Sequence, residues 1–164
     1  MEPDSCEDAR MPELKKRLKS DLTDAMRARD ELRTATVRMA LTAITNEEVS
    51  GKAARQLSDD EVIGVLTREV KKRREAAEAY DGANRPELAQ RERAESEVLQ
   101  GYLPAQLSDA ELTALIDQAV EEARAGGSEG MRAMGVVMKT LQPKVAGRAD
   151  GAKIAAEVKA RLGA

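Results

Sequence analysis

A chain of 164 residues with 35% charged and 1% aromatic residues has room for one domain or two small ones, and its core must be aliphatic. It has no histidine and one cysteine, which excludes imidazole acid–base chemistry, Ser-His-Asp and Cys-His nucleophile systems, histidine metal ligands and a disulfide framework. No apolar run approaches the ~18 residues of a membrane span and no short apolar region follows a basic start, so a soluble, cytoplasmic protein is expected.

The apolar set is Leu, Val, Ile, Ala and seven Met, and of these Leu, Met and Ala strongly favour helix. The β-branched and aromatic runs of strands are missing, so the fold class is all-α, with two helical domains. The opening "MEPDSCEDAR" is acidic and holds Cys6, and residues 1–11 read as a disordered tail. A first helix is predicted over residues 11–29, where Leu14, Leu18, Leu22 and Met26 step by four. A second spans 31–49 on Val37, Leu41 and Ile44, with Gly51 as its stop. The third begins in "QLSDDEV". There Ser58 is an N-cap with Glu61 three residues on, and Leu57 and Val62 occupy the staple positions. Val62, Leu66, Val70 and Ala77 carry it to about residue 80, where "DGANRP" breaks it. A fourth helix runs from Pro86 to about residue 101 with Leu88, Val98 and Leu99 inward.

Pro104 disfavours helix at Leu103, which sets a domain boundary there, with domains at 12–103 and 104–164. "QLSDAEL" then repeats the capping device with Ser108 and Glu111, flanked by Leu107 and Leu112. Beyond this motif the two stretches do not match, so it is a reused cap and not an internal repeat. Three helices follow, over 108–125, 129–141 and 151–162. Pro143 is expected to end the sixth, Gly147 to allow a turn, and Asp150 to cap the seventh, whose stripe is Ile154, Val158 and Leu162. Gly135 falls inside the sixth helix at a cost of ~1 kcal/mol relative to Ala. Tight helix packing or close approach of a ligand would each account for it.

The chemistry is sparse. "RAGGSEG" and "AGRADG" match neither phosphate-binding glycine motif and follow no strand. The acids of "SDDE" sit where a helix N-terminus favours negative charge, so no catalytic residue is assigned. "KKRR", Lys71–Arg74, wraps round its helix at ~100° per residue. It is either a solvated face, with pairs such as Lys71–Glu75 and Arg74–Glu78, or a phosphate contact. The net charge of −3 hides a contrast. Residues 131–164 hold seven cations against two anions, a net of +5, and residues 102–130 one against six, a net of −5. Lys139, Lys144, Arg148 and Lys153 cluster around the last loop, where cations beside a helix N-terminus can meet phosphates. A merely solvated surface is the other reading. With Tyr80 and Tyr102 the only aromatics, any RNA recognition would rest on shape and backbone contacts.

"YLPAQLSDAEL", "MGVVMKTLQPKVAGRADG", "AAEVKARL" and the stretch "LKKRLKSDLTDAMRARDELRTATVRMALTAI" together resemble the YqeY family, also called GatB/YqeY-domain proteins, over residues 12–164. The resemblance implies two all-helical domains. The second is similar to the tail domain of GatB, the tRNA-binding subunit of the glutamine-dependent amidotransferase that amidates misacylated tRNA. Carried over by position, it implies that Lys139, Lys144, Arg148 and Lys153 face tRNA and that Gly135 and Gly147 shape the surface. The GatB cradle for ATP and metal has no counterpart here, so no cofactor and no metal are expected. The implied function is a non-catalytic, tRNA-binding accessory protein. It would work with tRNA or with a tRNA amidotransferase or aminoacyl-tRNA synthetase complex, and away from membranes. Two alternatives stand beside it: a protein–protein module working through the charged four-helix half, and an added subunit assisting carbon–nitrogen ligation with glutamine as amide donor.

Overall fold

The computed structural model describes residues 11–163, and every regular element among them is a helix. Cys6 and most of the acidic opening lie outside the described residues. Met11 is described and is only 8% exposed, so it belongs to the core and not to a tail. Close contacts divide the chain after Leu103 into two compact units.

The first unit holds α1 (Glu13–Ala28), α2 (Glu31–Val49), α3 (Asp59–Gly82) and α4 (Pro86–Gln100). Pro12 precedes α1 and offers no side-chain cap. Asp59 supplies one instead: its Oδ1 accepts from the Leu14 amide at 2.8 Å and its Oδ2 from the Glu13 amide at 3.3 Å. One carboxylate thus serves the first turn of α3 and the free amides of α1. The capping box at Ser58 forms in both directions, and Asp30 caps α2 by accepting from the Arg33 amide.

Leu18, Val37, Ile44, Val62, Leu66 and Leu99 form the centre of this core. Met26 does not join it and is 49% exposed. Four-residue steps advance a helix by about 400°, so the stripe from Leu14 has rotated by about 120° when it reaches Met26. Ala25 takes the inward position. Leu88 is also exposed, because residues 81–88 form a wholly exposed hairpin tip, and Ala89 is the first buried residue of α4.

Four charged side chains are buried among the described residues, in two groups: Lys15 with Glu48, and Arg73 with Glu95. Lys15 Nζ donates to Glu48 at 2.6 and 2.8 Å. Arg73, from the "KKRR" run, turns inward with carboxylates of Glu95 and Glu92 at 3.3 and 3.6 Å. Neither reading of that run anticipated this third role. Lys71 pairs with Glu75 as expected, at 3.9 Å. Tyr102 closes the unit: its hydroxyl donates to Asp21 at 2.7 Å, and the Arg17 guanidinium lies 4.9 Å from its ring centre. Burial and the Asp21 carboxylate push the Tyr102 phenol above its ordinary range.

The second unit holds α5 (Asp109–Ala125), α6 (Gly130–Val145) and α7 (Gly151–Leu162). Its core joins Leu112, Ile116 and Val120 to Val137, Leu141 and Val158. Ser108 and Glu111 form the second capping box. Pro143 does not end α6, which continues to Val145. The proline removes one amide that would have bonded the Lys139 carbonyl. The last turn survives because Val145 is buried and the Ala146 amide still donates to the Gln142 carbonyl at 3.1 Å.

Candidate nucleic-acid interface

The loop after α6 turns where Gly147 adopts φ 69°, a left-handed conformation that glycine takes without steric cost. Asp150 then caps α7, accepting from the amides of Ala152 and Lys153 at 2.8 and 3.1 Å. The loop is fastened to residues 105–107. The Leu107 amide donates to the Arg148 carbonyl at 2.8 Å, and Gln106 Nε2 donates to the Gly147 carbonyl at 2.7 Å. Arg148 Nε donates to the Ala105 carbonyl at 3.0 Å, and its Nη1 reaches the Lys144 carbonyl at 3.5 Å. Arg148 therefore acts as a staple of the loop, half-buried, with its guanidinium spent on backbone carbonyls.

Lys153 is also engaged. Its ammonium pairs with Asp109 at the start of α5. The hydrogen bond and the charge of Lys153 hold the Asp109 carboxyl below its usual range, and Asp109 raises Lys153 in return. Both groups are open to solvent, so the pair adds little stability. Glu111 is lowered first by the Ser108 amide that it accepts from and then by the Ser108 hydroxyl, with a smaller contribution from the charge of Arg148. Arg161 pairs with Asp117 and with Glu157. Two of the three cations of α7, Lys153 and Arg161, are thus drawn to anions of α5. From residue 104 to 164 eight cations face eight anions, so the two opposed charge blocks cancel within one unit.

Lys159 on α7 has no partner among the described residues, and the larger excess is on α6. Its sixteen residues carry Arg132, Lys139 and Lys144 and no Asp or Glu. None of these three side chains has a hydrogen-bond or ion-pair partner among the described residues. Arg132 was not among the predicted site residues, although its seven-residue spacing from Lys139 puts the two on one face, two turns apart. Lys139 and Lys144 are five residues apart and so about 140° apart round the helix. Lys139 is exposed, whereas Lys144 is half-buried on the side of the loop. The four predicted cations consequently do not form one patch.

Gly135 lies on the exposed face between Arg132 and Lys139, and a Cβ built there meets no atom within 4 Å. Packing inside the unit therefore does not explain the glycine. Met131 and Val136 beside it are 76% and 43% exposed. Among the described residues no group of three or more acids or cysteines could hold a metal ion, and no helix is long and apolar enough to cross a membrane. In the first unit a groove of about 480 Å³ between α2 and α3 is edged by the pairs Arg68–Glu47 and Lys72–Glu69, with no excess of either charge.

Comparison with known proteins covers nearly the whole chain. The model of the family YqeY, described as Yqey-like protein, matches residues 15–162. "Altered inheritance of mitochondria protein 41, mitochondrial" of Pyrenophora tritici-repentis is 29% identical over 153 residues, 90% of this chain and 80% of that protein. Its namesake in Lachancea thermotolerans is 32% identical over 108 residues, 64% of this chain and 57% of that protein. The one in Clavispora lusitaniae is 34% identical over 86 residues, 52% of this chain and 49% of that protein. These names correct the expectation of a cytoplasmic protein, since the relatives are called mitochondrial. Composition reports only that a chain suits an aqueous compartment, and it cannot tell one such compartment from another. With a family model matched over almost its full length, the chain belongs to the YqeY family of Yqey-like proteins.

Proposed function

We propose that this protein is a non-catalytic accessory factor that binds tRNA through its second unit and serves a tRNA-amidation or translation complex. The observation that carries the reading is α6, a helix with three cations, no acid and no partner for those cations among the described residues. Cations held this way release counterions when they meet phosphates, without first breaking an ion pair. Lys139 and Lys144 are the leading contacts, each meeting a separate phosphate from its own side of α6 because they are about 140° apart. Lys153 would exchange Asp109 for a phosphate, and Arg148 holds the loop in shape beside them. The resemblance of this unit to the GatB tail supports tRNA as the nucleic acid.

The test is binding of the purified chain to bulk tRNA across a salt series. Binding should fall steeply with salt, and changing Lys139 and Lys144 together to Ala should lower the slope by about 1.5 to 2. No binding at low salt would reject the reading. A protein–protein module is the competing reading, and the zero net charge of the second unit favours it. A role in glutamine-dependent amidotransfer is tested separately: adding the protein to a reconstituted amidotransferase should change its rate or its tRNA affinity, and no change removes that branch.

A further inference from the structure

The outer face of α6 is built for something that the rest of its unit does not supply. A glycine in mid-helix weakens the helix, and here no internal contact requires it. On either side stand Met131 and Val136, two of the exposed large apolar side chains of the molecule. Between those two, round the helix, Arg132 and Lys139 stand two turns apart, with no acid anywhere on the helix. Met131 and Val136 are five residues apart and so about 140° apart round the helix, and they edge opposite sides of a strip whose centre is Arg132, Gly135 and Lys139; together these make a helix-docking surface. Interaxial distance between packed helices depends on the side chains at the contact, and glycine there permits the closest approach.

We propose that this face receives an acidic amphipathic helix of a partner protein. One apolar residue of that helix would sit over Gly135, between Met131 and Val136. Its carboxylates, a turn to either side, would meet Arg132 and Lys139. Charge complementarity selects an acidic partner. The apolar pair selects a protein over a phosphate backbone, because phosphates gain nothing from Met and Val, and the strip carries no aromatic on which a base could stack. This docking shares Lys139 with the proposed tRNA contact, so an acidic helix and tRNA would compete for that side chain.

The probe is a synthetic helical peptide of Leu and Glu in an amphipathic pattern, with the same peptide carrying Lys for Glu as its counterpart. Each is titrated into the full chain by fluorescence anisotropy. The Glu peptide should bind in a salt-dependent way and the Lys peptide should not. Gly135→Leu should weaken Glu-peptide binding about tenfold or more while the melting temperature holds or rises. Arg132→Gln should weaken it several-fold without touching the backbone. The proposal is overturned if the Glu peptide fails to bind, or if Gly135→Leu binds it as well as the native chain. It is also overturned if Gly135→Leu and Arg132→Gln lose affinity for bulk tRNA and not for the peptide, which would make the face an RNA contact.

Discussion

Arg148 separates two ways in which a cation can matter to this protein. Removing it as Arg148→Ala deletes the 3.0 Å bond to the Ala105 carbonyl; the 3.5 Å approach to Lys144 is at the limit of a hydrogen bond and adds little. A hydrogen bond from a charged donor contributes roughly 1.5–3 kcal/mol, and this one is open to solvent, so a cost of about 1–2 kcal/mol is expected. For a unit of this size that lowers its melting temperature by on the order of 5–10 °C. The local signature is sharper. The Leu107 amide, which donates to the Arg148 carbonyl at 2.8 Å, should lose protection from hydrogen exchange. The salt slope of tRNA binding should fall by much less than one for Arg148→Ala, against about 1.5 to 2 for the pair Lys139→Ala and Lys144→Ala. Unchanged melting and exchange, together with a slope lower by about one, would refute the reasoning. The guanidinium would then have left the carbonyl for a phosphate.

The buried pair Lys15–Glu48 should behave asymmetrically: Glu48→Ala strands an ammonium and should cost about 3–5 kcal/mol in chemical denaturation, whereas Lys15→Met with Glu48→Met should be nearly neutral. A double variant worse than the worst single would contradict this. Loss of either capping hydroxyl, Ser58→Ala or Ser108→Ala, should cost about 1 kcal/mol, read from the same unfolding curves. The Glu61 carboxyl is lowered to about 2, first by its hydrogen bond with Arg55 and next by the Ser58 amide. Its folded value lies below its unfolded one, so its contribution is present above the ordinary carboxylate range and is lost as pH falls through that range toward about 2. Carboxyl titration by NMR should show Arg55→Ala moving Glu61 back toward ordinary values, and an unmoved Glu61 would count against the pairing.

Local chemistry made most of the fold legible. Both capping boxes, the N-cap at Asp150 and the bounds of α2 and α7 follow from side chains bonding backbone groups within a few residues, so a linear reading suffices. Pro143 misled because a missing amide costs least in the last turn, where Val145 is held by the core. Met26 misled because a four-residue step drifts round a helix.

Charge is where sequence and structure part. The order of residues alone establishes an all-helical chain, its caps, its aliphatic core and its membership of the YqeY family. Only tertiary structure decides which cations remain available. Arg148 is claimed by a carbonyl 43 positions away, Lys153 by Asp109 and Arg161 by Asp117, each 44 positions away, and Arg73 by acids on the next helix. Coulomb and hydrogen-bond partners are chosen by distance in space, which composition and spacing do not encode. Among the described residues of the second unit, folding leaves Arg132, Lys139 and Lys144 on α6 and Lys159 on α7 without a partner, and leaves Gly135 open between Arg132 and Lys139.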